Sequence, residues 1–237
     1  NSSFRSLLGV RGAITDTWDY DASVQYSKVK ADQRTLNYFK VDRIQRSMNV
    51  VADPATGAPV CMSALDGTDP ACVPYNVFQI GGITQEALDY LQVPGLQQGT
   101  IDQTIYQGII TGDLANIGVK SPWASEGIQV AFGAEYRKDK LDNQTDELLS
   151  TAQLSGSGGA TISIAGETSV TDLFTEIRIP IAEGLTGADS LSVDAAYRYS
   201  DYDSLTTDTY KVGMDWAPIQ DVKFRGSYQK AVRAANG

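Results

Sequence analysis

The stretch LSVDAAYRYS, Leu191 to Ser200, decides the fold. Its odd positions Leu191, Val193, Ala195, Tyr197 and Tyr199 are apolar, while Ser192, Asp194, Arg198 and Ser200 are polar, with Ala196 the small exception. A period of two is the mark of a β-strand, whose side chains point alternately to opposite faces. TYKVGMDWAP continues it, with Tyr210, Val212, Met214 and Trp216 on one face and Thr209, Lys211, Gly213 and Asp215 on the other. VKFRGSYQKAVRAA, beginning at Val222, sets Val222, Phe224 and Tyr228 against Lys223, Arg225, Ser227 and Gln229. The joins are too short for anything but antiparallel pairing.

The second face carries the information about environment. Asp194, Arg198, Lys211, Asp215, Lys223 and Arg225 put charges of both signs on it, which is costly in a dry core and natural in a watery lumen. Strands of about ten residues also match the apolar band of an outer membrane when tilted. The opposite face, with Leu191, Val193, Tyr197, Val212, Met214, Phe224 and Tyr228, is then expected to meet lipid. The competing reading is an ordinary antiparallel sheet with one solvated face.

Working outward, the same alternation gives five earlier strands: Phe4 to Ile14, Tyr20 to about Ala31, Thr100 to Thr111, Glu126 to Leu141 and Val170 to Ile181. They extend the charged face to Glu135, Arg137, Glu176 and Arg178. With strands reversing in turn, the joins at Thr15–Asp19, Gly112–Pro122, Glu183–Asp189 and Pro218–Asp221 fall at one end and are short. Those at Asp32–Gly99, Asp142–Gly166 and Asp203–Thr207 fall at the other, and two are long. Short turns on one side and long loops on the other are the habit of outer-membrane barrels. Trp18, Trp123 and Trp216 all lie at the short-join end, where an interfacial aromatic girdle would sit. Within the first long excursion, Thr84 to Val93 has the pattern of a helix with Thr84 as its N-cap.

Composition narrows the function. The 237 residues carry 19 Lys plus Arg against 29 Asp plus Glu, a formal charge of -10, and no His. An acidic chain without a basic stripe is a poor partner for nucleic acid. Lacking His, it has no His-based triad and few options for a transition metal. No cofactor is implied. No apolar run approaches the length of a transmembrane helix, which says nothing against strands. Neither NSSFRSLLGVRG at the start nor AVRAANG at the end has the character of a natural terminus, so the chain is expected to be part of a longer one.

Candidate chemistry is sparse. Cys61 and Cys72, with ten residues between them and no second CxxC, are a weak zinc signal and a reasonable local disulfide in an oxidising location. The glycines of Ser155 to Gly159 lack the strand and helix of a phosphate cradle. Two acidic groups, Asp139, Asp142, Asp146 and Glu147, and Asp201, Asp203 and Asp208, do not follow calcium-loop spacing. No nucleophile has an activating base nearby, so no catalytic residue is assigned and an enzyme is not expected.

The order of motifs is similar to a known family. LFTEIRIPI (Leu173–Ile181), LSVDAAYRYSDYD (Leu191–Asp203) and TYKVGMDWAPIQDVKFRGSYQKAVRAAN (Thr209–Asn236) resemble the mid-barrel region of TonB-dependent outer-membrane receptors, as do AFGAEYRKD (Ala131–Asp139) and CMSALDGTDPACVPYNVF (Cys61–Phe78). The chain departs at Val232, where an aromatic is common, and at Ala235, where Pro is. The resemblance implies an all-β, up-and-down transmembrane barrel of about twenty-two strands, of which about eight are expected here. It implies the outer membrane of a Gram-negative bacterium and import of a scarce nutrient such as an iron chelate, cobalamin or a saccharide. The partners implied are outer-membrane lipid, the rest of the receptor with its plug domain, which is expected to lie outside this chain, and an inner-membrane energy-transducing protein that acts through the plug. Two other outcomes are a filament that self-associates through open edge strands and a closed eight-stranded barrel with a filled lumen.

Overall fold

Alternation extends further along the chain than its apolar residues do. A computed structural model describes residues 1–232. Its strands are β1 (Ser2–Thr15), β2 (Trp18–Phe39), the short pair β3 (Val50–Ala52) and β4 (Pro59–Cys61), then β5 (Gln92–Asp113), β6 (Gln129–Thr145), β7 (Ile164–Leu185), β8 (Ala188–Tyr202), β9 (Thr206–Ile219) and β10 (Val222–Lys230). Eight of them form one sheet in the order β1-β2-β5-β6-β7-β8-β9-β10, an up-and-down meander, while β3 and β4 pair separately. Among the described residues the sheet is not closed, since β1 and β10 each have one neighbour. The closed eight-stranded barrel is therefore not found. Arg233, Ala234 and Ala235, expected in the last strand and its motif, lie outside the described residues.

Several boundaries differ from expectation, and the differences share a cause. β2 reaches Phe39 and β5 starts at Gln92, so strand occupies both margins of the excursion expected over Asp32–Gly99. β6 runs to Thr145 and β7 starts at Ile164, which narrows the one expected over Asp142–Gly166. In these margins the few apolar residues, such as Leu36, Phe39, Val93 and Leu96, do not alternate, and backbone pairing continues without the period of two that would betray it. A bulge between Pro180 and Ala182 shifts the register, so Ala182, not Ile181, stands opposite Leu191.

The chain divides into two compact units. Among the described residues, a sheet unit comprises 3–29, 101–140 and those from 166 on; a loop unit comprises 1–2, 30–100 and 141–165. In the sheet unit the short joins are tight: two residues separate β1 from β2, β7 from β8 and β9 from β10, and at the second of these Gly187 takes φ 80°. The join from β5 to β6 is longer than expected, covering 114–128 with a 3₁₀ turn at Ala115–Ile117. On β6, a Cβ at Gly133 would collide with the Phe174 ring, so only glycine lets that ring cross the strand. Arg198 lies over the same ring, 5.0 Å from its centroid.

The loop unit has a conventional core. Cys61 and Cys72 are disulfide-bonded and buried with Tyr90 and Leu91, against Phe39, Ile44, Val73 and Tyr75. Around them are α1 (Val41–Met48), α2 (Met62–Leu65) and α3 (Gln85–Leu91), with α4 (Glu147–Ser150) in the second excursion. Thr84 caps α3, its Oγ1 accepting from Ala87 N at 3.2 Å. The helix ends at Leu91, short of the expected Val93, because Pro94 drives the residue before it into extended backbone. α1 was not legible: Lys40 at its N-cap gives no capping bond. Tyr90 donates from its hydroxyl to Asp69 Oδ2 (2.6 Å), which also takes Arg46 Nη1 (2.8 Å). Burial, then the Asp69 bond, pushes the Tyr90 phenol up to about 12. Tyr90, then Arg46, holds the Asp69 carboxyl below its usual range.

Three outcomes are expected. Gly133→Leu should cost about 1–3 kcal/mol by overpacking against Phe174, seen as a lower temperature of loss of the folded gel band. Replacing both cysteines by Ser should speed proteolysis after Arg43 and Arg46 without changing strand content by circular dichroism. The stability of the loop unit, read as hydrogen-exchange protection relative to the intrinsic exchange rate at each pH, should be flat around neutral pH. Asp69, depressed on folding, stabilises above its unfolded value of about 3.9 and loses that contribution as pH falls through its lower folded value. Tyr90, raised on folding, loses its own as pH climbs from about 10 toward 12. Asp69→Asn should remove the acid limb.

Candidate functional site

Register turns the charged alternation into a continuous polar face. Across β7, β8 and β9, Arg178 stands opposite Asp194, and Asp194 opposite Gly213. A Cβ on Gly213 would lie 2.5 Å from an Asp194 oxygen, so the glycine leaves room for that carboxylate. Lys211 Nζ sits 3.2 Å from Asp194 Oδ2. On the next pair, Arg225 Nε approaches Asp215 Oδ1 at 2.8 Å, and Lys223 Nζ lies 3.9 Å from the same atom. Glu176 stands opposite Ala196, which faces Lys211. Arg198 reaches Asp172 at 3.8 Å. The contact of Phe174 with Gly133 places the odd positions of β6 on this face too. There Glu135 accepts from Gln107 Nε2 (3.1 Å) and Arg137 Nε approaches Asp139 (3.3 Å). A concavity of about 1080 Å³ is lined by Glu176, Arg178, Asp194, Lys211, Asp215 and Arg225 among others.

The structure thus brings all ten expected charged residues to one side of the sheet, and adds several the sequence did not mark. Asp172 and Ser200, both 5% exposed, are hydrogen-bonded to each other across β7 and β8. Gln103 links two strands, donating to Asp139 at 2.8 Å and accepting from Gln25 at 3.4 Å. The signal existed, since these residues hold the same parity as the expected ones, but the amides of Gln25 and Gln103 carry no charge to mark them, and Asp172 lies near the start of its strand, before the run of apolar residues that made the alternation plain. The acidic groups come apart. Asp139 pairs with Arg137, Asp146 caps α4, Asp203 accepts from Ser169 N and Oγ, and Asp208 pairs with Lys230. Among the described residues no group of three or more His, Cys, Asp or Glu is arranged to hold a metal ion.

The opposite face is apolar and uncovered. Leu191, Val193 and Ala195 lie opposite Trp216, Met214 and Val212, and Phe224 and Tyr228 extend the row onto β10. Tyr228 is 69% exposed, Phe224 55%, Val212 50% and Met214 47%. In the sheet unit the buried apolar residues are few and mostly small: Ala124, Val170, Ala182 and Ala217 among those described. A soluble sheet of this size would bury that face against another layer, so the ordinary-sheet reading fits poorly. Trp216 donates from Nε1 to Gly187 O (2.9 Å) in the β7–β8 turn and lies 5.6 Å from Phe224. Trp18 opens β2 and its ring lies where a Gly112 Cβ would be, at 2.6 Å. Trp123, in the join from β5 to β6, is 61% exposed, and its carbonyl accepts from Glu183 N at 2.8 Å.

An open meander with one ionic and one uncovered apolar face agrees with what comparison finds. No curated protein matches the chain. The family model described as TonB dependent receptor-like, beta-barrel matches residues 3–237, and the chain belongs to that family.

Proposed function

We propose that this chain forms wall strands and external loops of an outer-membrane receptor that imports a scarce nutrient. TonB-dependent receptors are outer-membrane transporters of Gram-negative bacteria, which supports import over catalysis. One observation carries the reading for this chain: the apolar side chains of β8, β9 and β10 are exposed together, while the charges of the same strands pair on the opposite face. Lipid would meet the first face and a watery lumen the second. Trp18, Trp123 and Trp216 would anchor the short-join end in the interface. The paired ions Asp194–Lys211 and Asp215–Arg225 would present a hydrophilic wall to a plug domain and to a small ligand passing it, with energy relayed by the inner-membrane partner through the plug. An iron chelate, cobalamin or a saccharide fits such a wall equally well.

The exposed edges of β1 and β10 call for neighbours. Further strands of the same receptor are the simplest, and self-assembly into a filament is the alternative. Electron microscopy of the purified parent receptor should show separate particles; a polymer with a regular repeat would favour the filament.

In that parent receptor Val212→Arg should cost about 2–4 kcal/mol of insertion stability if it meets mid-bilayer lipid, read as loss of folded protein in the membrane fraction. Lys211→Gln, one residue away on the other face, should leave insertion intact. Equal tolerance of both would contradict the assignment of faces. Deleting the receptor should slow growth when iron, cobalamin or a single saccharide is limiting, and collapse of the inner-membrane proton gradient should have the same effect on uptake.

A further inference from the structure

Helix α1 is capped by the other excursion. Lys40, at its N-cap, makes no side-chain bond, and the first N–H of the helix, on Val41, donates instead to Gln153 O at 2.9 Å. A helix leaves its first N–H groups without intrahelical partners, so the distant carbonyl satisfies what the residues around Lys40 do not. Ser155 N in turn donates to Phe39 O at 2.9 Å, and Lys40 and Leu154 form an antiparallel bridge between these two bonds. A short piece of the second excursion is thereby added to the end of β2, where α1 begins.

Side chains seat that piece. Leu154 and Leu149 are buried. A Cβ on Gly95, near the start of β5, would stand 2.6 Å from Leu154 Cδ2 and 3.4 Å from Leu149 Cγ, so Leu154 closes on bare backbone. A Cβ on Gly156 would meet the Tyr38 ring at 2.6 Å. At the near end Asp146 fastens the segment, its Oδ2 accepting from Leu96 N at 2.6 Å and its Oδ1 from Leu149 N at 2.9 Å.

The same segment carries backbone strain. α4 ends in a Schellman turn, in which Gln153 N donates to Leu148 O at 2.8 Å and Ala152 N to Leu149 O at 3.3 Å. Ala152 stands at the position of that turn usually held by glycine and takes φ 57°. The other non-glycine residue with positive φ among the described residues is Asn37, at 65°, one residue before Tyr38. Asparagine adopts such angles more readily than alanine does. A residue like Ala152 holds one only where its surroundings over-determine it, and such residues cluster at clamps and switches.

We propose that Asp146–Ser157 is a sprung clasp that couples the two excursions. Seated, it caps α1 and closes over Gly95; released, it relaxes Ala152 and leaves the first turn of α1 without its acceptor. The two excursions then open together. A ligand that binds the seated and released forms unequally at one excursion shifts the other by the same factor. This coupling lies beyond import itself and does not depend on which nutrient is carried.

Hydrogen exchange of the full-length parent receptor in detergent micelles, at one pH and temperature, tests the clasp through the α1 peptide Val41–Met48, which neither variant alters. Leu154→Ala, in the second excursion, should raise exchange of that peptide by more than about tenfold, because it leaves a cavity against Gly95. Ala152→Gly should lower it by about threefold, because glycine accepts the left-handed angle. Loss of fold cannot produce this second, opposite sign. If Leu154→Ala loosens β8 and β9 as well, Ala152→Gly alone decides. Unchanged exchange of Val41–Met48 in Ala152→Gly would overturn the proposal, and so would changes confined to residues 146–157 in both variants, which would mark two independent excursions.

Discussion

The sheet depends on register. In an antiparallel meander every side chain's face is set by its parity, and a slip of one residue would move Asp194, Arg198, Lys211 and Asp215 to the side now held by Leu191, Met214 and Phe224. Specific fits oppose such a slip. Gly213 leaves space for the Asp194 carboxylate, Gly133 lies under Phe174, and Arg225 meets Asp215 at 2.8 Å. These contacts matter because the sheet unit has little buried apolar core to specify its arrangement.

The two units solve the problem of stability by different means. The sheet unit has a ladder of backbone hydrogen bonds and cross-strand ion pairs, and it leaves its apolar face to be covered from outside the chain. The loop unit is an insertion with few helical turns and a small core, and it closes that core with the Cys61–Cys72 disulfide and the Tyr90–Asp69–Arg46 contacts. A unit too small to bury much apolar surface commonly relies on such a staple.

Legibility followed the physics of each region. Where one face is apolar and the other polar, alternation is strong: eight strands, the shared side of the ten charged residues from Glu135 to Arg225 and the parity of Trp216 could be read along Leu191 to Ser200 and its neighbours. α3 was readable through the Thr84 cap, and the disulfide through cysteine spacing. The margins at 32–39, 92–99 and 142–145 were not, because apolar residues there are few and do not alternate, and strand looks like loop. α1 lacked a capping signal, and the bulge at Ile181 left no trace in a run of apolar residues.

Sequence alone therefore determined the fold class, the two faces and the end that carries the long excursions, since these follow from parity and from the lengths between strands. Only the tertiary structure decided which charges meet. Arg178 faces Asp194, Lys211 turns to Asp194 and Arg225 to Asp215, and Lys28, Lys138 and Lys230 each find a carboxylate on a neighbouring strand. Pairing of that kind depends on stagger between strands distant in sequence, and stagger is set by turns, bulges and glycine contacts that alternation does not encode.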